Sequence, residues 1–329
     1  MKAAMLVRYG ALVVRDVETP EPGEGELLVA VRATSLNAVD WYGFSGRPYL
    51  ARPLMGLRGP KSGRVGSDFA GVVVAVGGST NGLVPGDEVY GCQSGAFAEC
   101  LVAGAGVALK PANLSFEESA AVPLAGLTAL QGLRDHGGVR AGQSVLVNGA
   151  SGGVGTLALQ VATALGAEAH AVCSTRNVEQ ARELGASRVF DYTREDFTRS
   201  GERYDVLFDN AGNRSWSAMR RVLAPHGTVV LVGGPRTKRL LGPLGHIARI
   251  TLAAKLGSRK AVFFIAKPNG DDLAVLRDLV ESGKVRPVIE QRYELGRIGE
   301  AMQRMTDGHL RAKLVVTVSD TVARTAPAR

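Results

Sequence analysis

The chain has 329 residues, of which 45% are hydrophobic and 21% charged, and its formal net charge is +8. This balance is typical of a globular protein, and the length accommodates two domains of about 100–200 residues. The basic residues are mostly scattered and few aromatic residues accompany them. That pattern argues against nucleic-acid binding and favours a phosphate-rich small ligand as the reason for the charge.

Three cysteines, Cys92, Cys100 and Cys173, form no CxxC pair, so we expect no disulfide framework and a reducing compartment. The first ten residues are too polar for a secretory leader. No apolar run approaches the roughly 18–20 residues needed to cross a bilayer. The sequence therefore predicts a soluble, cytoplasmic protein without stable membrane insertion.

The first hundred residues are predicted to form an antiparallel, barrel-like β region. Its predicted strands cover residues 11–17, 26–34, 70–76, 88–91 and 97–102. Turn-forming residues separate these strands, as in the PGD sequence at 85–87. The stretch at 49–66 is rich in glycine, proline and cations, and we expect it to be a long surface loop.

After residue 111 the pattern changes to helices, expected at 116–124 and 127–137, and then to alternating strands and helices. Short apolar runs occur at 145–147, 169–172, 188–190, 206–208 and 228–232. Helical stretches at 154–165, 177–184 and 215–223 lie between them, which predicts an open parallel sheet. A helix at 271–281, a strand at 313–318 and a frayed tail complete the chain.

The strongest motif is a glycine-rich turn that directly follows the apolar run at 145–147 and opens a helix. Gly149, Gly152 and Gly155 have the GxxGxxG spacing in the context that a dinucleotide-binding fingerprint requires. Glycine lets the backbone approach a diphosphate, and the helix N-terminus offers free N–H groups to it. The predicted diphosphate-binding residues are Gly149, Ala150, Ser151, Gly152, Gly153, Val154 and Gly155.

The end of the second strand of this unit indicates which nicotinamide dinucleotide binds. NAD enzymes place a carboxylate there for the ribose hydroxyls, whereas this chain has Ser174, Thr175 and Arg176. A guanidinium makes two-pronged contacts with a phosphate group, so the sequence favours NADPH. A solvated arginine at the start of a helix is the alternative interpretation of Arg176.

Later strands end in small residues that would let a cofactor approach the backbone. Asn210 follows one strand, and Val232, Gly233 and Gly234 end the next, at the sheet edge where ligands of this fold lie. Tyr192 either stacks on the adenine or is an ordinary surface tyrosine.

Several motifs in this order resemble the medium-chain dehydrogenase/reductase superfamily, in its zinc-free quinone-oxidoreductase branch. They are SLNAVDW at 35–41, GSDFAGVVVAVG at 66–77, PGDEVYG at 85–91, GAFAEC at 95–100, AAVPLAGLTALQGL at 120–133, GASGGVG at 149–155 and AKLVVTV at 312–318. Within the branch the chain most resembles NADPH reductases related to reticulon-interacting mitochondrial proteins. The resemblance implies an α/β fold with a GroES-like β-barrel catalytic domain, residues 1–122 completed by 265–320. A Rossmann domain with a doubly wound parallel sheet, residues 123–264, would be inserted, and 321–329 would form the tail.

The resemblance also implies roles for residues outside the glycine-rich turn. Asn37 and Asp40 occupy the substrate-side motif, Thr128 approaches the nicotinamide, and Lys313 belongs to a strand that returns to the first domain beside the cofactor. Asn37 and the Ser67-Asp68 pair stand where zinc-dependent relatives have metal ligands. Zinc prefers thiolate and imidazole ligands, so we expect no metal.

Tyr42 is a candidate proton donor, although it and Asp40 have structural alternatives as a core aromatic and a helix cap. Phe263 and Phe264 are expected to wall the pocket. They follow the basic, apolar segment 235–260, which we interpret as a lid, with a subunit contact or a membrane-surface contact as alternatives.

Without a metal, a quinone or an α,β-unsaturated carbonyl is the most suitable hydride acceptor, because the resulting charge is delocalised. We therefore expect an NADPH-dependent quinone or enone oxidoreductase, with Asn37, Asp40 and Tyr42 as candidate catalytic residues. The alternatives are a non-catalytic NADPH-binding protein with a structural or redox-sensing role, and a zinc-free aldehyde or ketone reductase. A homodimer is the default assembly.

Overall fold

The computed structural model describes residues 1–57, 59–60, 63–80, 82–234 and 240–319, and the predicted tail lies outside them. The strands in chain order are β1 (Lys2–Arg8), β2 (Ala11–Asp16), β3 (Glu26–Ser35), β4 (Asp68–Gly77), β5 (Glu88–Cys92), β6 (Cys100–Ala103), β7 (Val107–Leu109), β8 (Ser144–Asn148), β9 (Glu168–Cys173), β10 (Arg188–Asp191), β11 (Tyr204–Asp209), β12 (Leu223–Leu231), β13 (Lys260–Phe263), β14 (Ile289–Glu294) and β15 (Lys313–Thr317). The α-helices are α1 (Ala38–Ser45), α2 (Arg52–Met55), α3 (Phe116–Ala120), α4 (Pro123–Gln131), α5 (Gly153–Ala164), α6 (Val178–Glu183), α7 (Trp216–Met219), α8 (Leu244–Ala254), α9 (Gly270–Glu281) and α10 (Ile298–Asp307).

The first fold unit is built around a mixed sheet with the strand order β14-β15-β3-β4-β5-β7, in which β6 also pairs with β3. The alternating apolar residues of β3 and β4 bury one face against a core that includes Phe69 and Phe97. Strand β15 pairs antiparallel with β3 and places Val315 opposite Ser35. The end of the chain therefore returns to its beginning, as the family resemblance implies.

The second unit is a six-stranded sheet in the order β10-β9-β8-β11-β12-β13, and all of its strand pairs are parallel. Its short strands consist of apolar residues because helices cover both faces, and Val145 and Val147 of β8 are fully buried. The strand order reverses between β8 and β11, which is the crevice where Rossmann folds bind dinucleotides. The predicted fold class, a GroES-like barrel with a Rossmann unit, is confirmed, while the residue numbers of the domain boundaries remain a prediction.

The predicted strands are confirmed with shifts in their bounds, and two differences in the first unit have physical reasons. The expected loop at 49–66 is wrong in part, because it contains a 3-10 turn, Tyr49–Ala51, followed by α2. Pro53 lies in the first turn of α2, where proline is tolerated because its missing N–H has no partner there anyway. The strand expected at 97–102 begins only at Cys100, because Phe97 instead accepts a hydrogen bond from Ala4 of β1.

The helix expected at 127–137 changes form within its length. Residues Gly132–His136 form a π-helical turn after α4, and Phe264 stacks on His136 there with ring centroids 4.4 Å apart. Seven elements were not predicted from the sequence, namely β1, β7, β13, β14, α1, α8 and α10. Strand β1 pairs with the predicted strand β2 in a small separate sheet, and β7, β13 and β14 lie at sheet edges. Half-exposed edge strands lack the continuous apolar run by which the central strands were recognised.

Helix α8 lies within the segment 235–260, of which residues 235–239 fall outside the described part of the chain. Ile247 and Ile250 pack into the Rossmann core, whereas Leu252 and Leu256 are exposed. One face of the helix is thus fixed to the domain, and its role as a lid or a contact surface remains a prediction. No helix in the described ranges is long and apolar enough to span a bilayer.

Candidate active site

The glycine-rich turn has the backbone geometry that its sequence predicts. Gly149 has a φ of +88°, in the left-handed region that favours glycine, and Gly152 is the N-cap of α5. A Cβ on Gly155 would lie 2.1 Å from the carbonyl oxygen of Gly149, so only glycine fits where the helix packs against the turn. The first N–H groups of α5 and the turn beside them suit a diphosphate.

Two further loops complete the carboxyl edge of the sheet beside this turn. The side chain of Asn210 reaches the glycine-rich turn, since a Cβ on Gly152 would lie 3.7 Å from its Nδ2. A Cβ on Gly233 would lie 2.1 Å from the carbonyl oxygen of Asn210, which shows that the two loops pack backbone against backbone. The amide of Val232 donates to the carbonyl of Asp209 at 3.0 Å. The structure therefore brings the predicted residues of these loops together.

Asp209 is the last residue of β11, at the carboxyl edge of the sheet, and it was not among the site residues predicted from the sequence. Its carboxyl group is fully buried, and Oδ1 accepts hydrogen bonds from Asn148 Nδ2 at 2.8 Å and from the Gly212 amide at 3.0 Å. Burial raises the pKa of this carboxyl above its ordinary value. The residue fixes the loop that carries Asn210 and Gly212, so its role is to position the cofactor edge.

At the end of β9, a carboxylate lies beside the predicted 2′-phosphate site. Thr175 Oγ1 donates to Asp191 Oδ2 at 2.5 Å, and this bond, with others from Thr193, lowers the pKa of Asp191. This carboxylate comes from the neighbouring strand β10, so the residues that directly follow β9 in the sequence do not reveal it. Arg194 pairs with the same carboxylate at 3.5 Å.

Arg176 lies next to this group on the exposed side. Its guanidinium donates to the backbone carbonyl of His309, in the segment between α10 and β15. Ser174 Oγ accepts a hydrogen bond from the side-chain amide Nδ2 of Asn177 at 3.0 Å. Arg176 therefore reaches across from the Rossmann unit to the other unit, and it remains a predicted ligand of the 2′-phosphate. Tyr192 is 46% exposed at the same edge, and its stacking on adenine also remains a prediction.

A buried polar cluster lies where strands β3, β4 and β15 meet, and Asp68 is its centre. Five donors converge on this fully buried carboxylate. They are Ser35 Oγ, Asn37 Nδ2, Lys313 Nζ, Cys92 Sγ and the amide of Leu124. A carboxylate that accepts this many hydrogen bonds is the usual way to stabilise a negative charge away from water. The cluster joins α1, β4 and α4 at one point.

Lys313 links this cluster to the glycine-rich turn. Its Nζ donates to Asn37 Oδ1 at 2.7 Å, to the Leu36 carbonyl at 3.1 Å and to Asp68 Oδ2 at 3.1 Å, and the side chain is almost completely buried. A Cβ on Gly153 would lie 2.6 Å from Lys313 Cδ, so the aliphatic stem lies directly against the turn. Lys313 remains a predicted cofactor residue, with its stem at the turn and its charge directed to Asp68.

Asp40 lies beside the cluster, and the pKa of its carboxyl group is raised above the ordinary value. Its Oδ2 accepts from the Asn37 amide at 2.7 Å, and its Oδ1 accepts from Ser67 Oγ at 2.7 Å. Burial is the largest cause that raises the pKa of Asp40, from 3.8 to about 7, with a further contribution from the nearby Asp68. Asp40 thus caps α1, as one interpretation of the sequence expected, and it also holds a proton near neutral pH.

The remaining predicted residues occupy different surroundings. Thr128 is half-buried and donates to the Leu124 carbonyl at 2.6 Å, one helical turn from the amide that contacts Asp68. Tyr42 stands two residues after Asp40 in α1, about 200° around the helix, and its ring packs edge-on against Trp41. Phe264 packs against the π-helical turn, where a Cβ on Gly132 would lie 3.0 Å from its ring, and Phe263 is 37% exposed. The structure therefore brings Asn37, Asp40 and Thr128 to one region, while Tyr42 packs on the other side of α1.

The donor set of this cluster does not fit a zinc ion. The Asn37 amide and the Asp68 carboxylate already bind each other and the Lys313 ammonium group. Burial and the adjacent Asp68 raise the pKa of the Cys92 thiol, which disfavours the thiolate that zinc binds. Within the described ranges, no three or more histidine, cysteine, aspartate or glutamate side chains are grouped to hold a metal ion. By contrast, the glycine-rich turn fits a dinucleotide, because its glycines have no side chains that would keep a diphosphate away from the backbone.

Comparison with known proteins agrees with this architecture. A family model described as "Alcohol dehydrogenase GroES-like domain" matches residues 23–132, and one described as "Zinc-binding dehydrogenase" matches residues 184–316. The chain is 33% identical to the NADPH-dependent alkenal/one oxidoreductase, chloroplastic, of Arabidopsis thaliana, over 96% of this chain and 79% of that protein. It is also 33% identical to the mitochondrial NAD(P)H oxidoreductase RTN4IP1 of Homo sapiens, over 89% of this chain and 82% of that protein.

Among solved structures, the quinone oxidoreductase from Coxiella burnetii superposes with a TM-score of 0.85 and 31% identity, over 97% of this chain and 99% of that one. The similarity extends through both fold units. The chain therefore belongs to the medium-chain dehydrogenase/reductase superfamily, in its quinone-oxidoreductase branch, and is an oxidoreductase that uses a nicotinamide cofactor.

Proposed function

We propose that this enzyme reduces a quinone or an α,β-unsaturated carbonyl with NADPH and without a metal ion. The observation that carries the proposal is the cluster of Lys313, Asp68 and Asn37, which bind one another. By the family resemblance, Asn37 and Asp68 stand where zinc-dependent relatives have metal ligands. An alcohol dehydrogenase needs a Lewis acid for its developing alkoxide. A quinone or an enone instead gives a delocalised phenolate or enolate, which a few hydrogen bonds can stabilise.

The chain's own residues would supply orientation and the proton. When bound, the cofactor supplies a hydride to the electrophilic carbon of the substrate. Asp40 has a pKa of about 7, and the half-buried Ser67 hydroxyl donates a hydrogen bond to its Oδ1. When Asp40 is protonated, rotation of this hydroxyl would let Ser67 accept the Asp40 proton and pass its own proton toward the cleft. The enolate or phenolate would take one proton by this path, and solvent would then reprotonate Asp40. Asn37 and Thr128 would hold the substrate and the nicotinamide in register.

The preference for NADPH over NADH is part of this proposal. Arg176 and the hydroxyls of Ser174 and Thr175 support it, because together they suit a 2′-phosphate. Asp191 is the feature that opposes it, since a carboxylate beside Thr175 suits free ribose hydroxyls. The neighbouring Arg194 partly offsets the charge of Asp191. Direct comparison of the two reduced cofactors decides between them.

The test is a cofactor-oxidation assay with purified protein. We expect NADPH to be consumed with a panel of small quinones and enones, at a rate that a zinc chelator does not change. Simple aldehydes and ketones should give little activity. Binding of NADPH with no turnover across the panel would instead indicate the non-catalytic binding protein, and stimulation by added zinc would contradict the metal-free centre. Light scattering in the same buffer tests the predicted homodimer.

A further inference from the structure

The positive charge of this protein is concentrated in one segment, which corrects the view of scattered basic residues. Residues 188–260 contain fourteen arginine and lysine residues against six aspartate and glutamate residues. The rest of the chain carries 25 of each sign, so this segment accounts for the whole net charge of +8. The segment covers strands β10 to β13 of the Rossmann unit. A concentration of this kind creates a local positive potential that attracts anions.

Part of this charge lines a single cavity at the amino ends of β11, β12 and β13. The cavity has a volume of about 330 Å³, a size typical of small-molecule pockets. Five arginines line it, and no aspartate or glutamate is among its lining residues. They are Arg199, Arg203, Arg220, Arg221 and Arg259.

Three separate segments supply these arginines, and several are fixed in place by hydrogen bonds to the backbone. Arg221 donates to the Thr198 carbonyl at 3.3 Å, Arg259 donates to the Leu223 carbonyl at 3.1 Å, and Arg203 donates to the Glu202 carbonyl at 3.0 Å. Within the described ranges, only Arg199 of the five pairs with a carboxylate, Asp196 at 3.9 Å. The backbone bonds orient guanidinium groups, and among the described residues Arg203, Arg220, Arg221 and Arg259 form no ion pair with a carboxylate.

The cavity is separate from the cofactor edge. Strand β11 begins at Tyr204 next to the cavity and ends at Asp209 next to the cofactor loops, and its six residues span about 20 Å. A dinucleotide in the crevice at the carboxyl edge therefore does not occupy this cavity. The glycine-rich turn and the arginine-lined cavity face opposite ends of the same parallel sheet.

From this arrangement we propose that the arginine-lined cavity binds a ligand with two or more phosphate charges, such as a diphosphate or the headgroup of an anionic phospholipid. Guanidinium groups match phosphate oxygens through paired hydrogen bonds, and five cations around one pocket suit a ligand with more than one negative charge. Clustered like charges repel each other, so an anion would relieve this repulsion as it binds.

The first experiment measures binding of inorganic pyrophosphate by calorimetry to protein saturated with NADP⁺, which keeps the glycine-rich turn occupied. We expect one site per chain. The double variant Arg203→Gln/Arg220→Gln should weaken it roughly tenfold or more, because it removes charge-assisted hydrogen bonds. The matched control is Arg15→Gln/Arg292→Gln, which makes the same change in net charge at exposed positions of the other fold unit. All four side chains are exposed, and thermal unfolding checks that both variants fold.

The second arm measures co-sedimentation of the same proteins with phosphatidylcholine vesicles prepared with and without phosphatidic acid. Binding of pyrophosphate alone, with loss in the cavity variant only, assigns a free phosphate ligand. Sedimentation that needs phosphatidic acid and is lost in the cavity variant assigns a lipid headgroup. No binding in either arm, or equal weakening in the cavity and control variants, would overturn the proposal. The quinone reductase assay is independent of both arms.

Discussion

The ammonium group of Lys313 lies 3.1 Å from the carboxylate of Asp68, although the two residues are 245 positions apart in the chain. Both side chains are almost completely removed from solvent. Lys313 starts the last described strand, β15, and Asp68 starts β4, so the contact ties the end of the chain to the centre of the mixed sheet. The same lysine stem lies against the glycine-rich turn. Lys313 therefore forms its ion pair within the first fold unit and contacts the second unit through its stem.

Loss of this ion pair should destabilise the protein strongly. Lys313→Met leaves the Asp68 carboxylate buried without its cationic partner, and removal of one member of a buried pair costs about 3–5 kcal/mol. Urea unfolding should show this decrease in the free energy of unfolding. Lys284→Met, at an exposed position after α9, is the control and should change stability by less than about 0.5 kcal/mol. Equal effects of the two substitutions would show that the contact contributes little.

Asp40 should make stability depend on pH. Its folded-state pKa of about 7 lies above the ordinary value of 3.8, so the folded protein keeps this proton at a pH where the unfolded chain has lost it. The favourable contribution is therefore complete below about pH 4 and is lost as the pH rises to about 7, by up to roughly 4 kcal/mol. Unfolding measured from pH 4 to pH 8 should show this loss relative to Asp40→Asn, and parallel curves would contradict it.

The same proton should appear in the kinetics. If protonated Asp40 donates through Ser67, the rate with an enone falls above about pH 7. Asp40→Asn should lower kcat about tenfold or more, and the remaining rate should no longer fall above about pH 7. Ser67→Ala should lower kcat and move the transition to higher pH, because the hydrogen bond from Ser67 lowers the pKa of Asp40. A normal kcat in Asp40→Asn would limit Asp40 to its hydrogen bond with the Asn37 amide at the start of α1.

Gly155 tests the fit of the glycine-rich turn. Gly155→Ala would place a Cβ 2.1 Å from the Gly149 carbonyl oxygen, so the turn must move away from α5. We expect NADPH affinity to fall about tenfold or more, as measured by fluorescence titration. Gly299→Ala is the matched control, because a Cβ there meets no atom within 4 Å and alanine suits the interior of α10. Unchanged affinity in Gly155→Ala would indicate that the turn does not hold the diphosphate.

Arg176 tests the choice of cofactor. Arg176→Ala removes the cation beside Ser174 and Thr175, and we expect kcat/KM with NADPH to fall about tenfold or more while that with NADH changes little. Arg182→Ala is the control, since Arg182 is an exposed arginine of α6 that pairs only with Glu179 at 3.5 Å in the described part of the chain. If the ratio of kcat/KM with NADPH to kcat/KM with NADH does not change in Arg176→Ala, Arg176 does not select the cofactor.

The sequence was sufficient for the parts of the site that depend on local geometry. Gly149, Gly152 and Gly155 lie within one strand–turn–helix unit, so their spacing alone predicts the turn that the structure has. Asp191 was missed for the opposite reason, because it reaches Thr175 from a neighbouring strand, and strand neighbours are a property of the sheet order. Edge strands such as β13 were missed because half-exposed residues give no continuous apolar signal.

By itself the sequence determined the fold class of the two units and the alternation of strands and helices, and it predicted the site of the dinucleotide, because periodicity and glycine spacing act over a few residues. The tertiary structure alone decided that Lys313 would neutralise Asp68 and that burial would alter the proton affinity of Asp40. It also decided that arginines from three segments would face one cavity. Burial and charge pairing depend on which distant segments meet, and that is settled only when the sheets assemble.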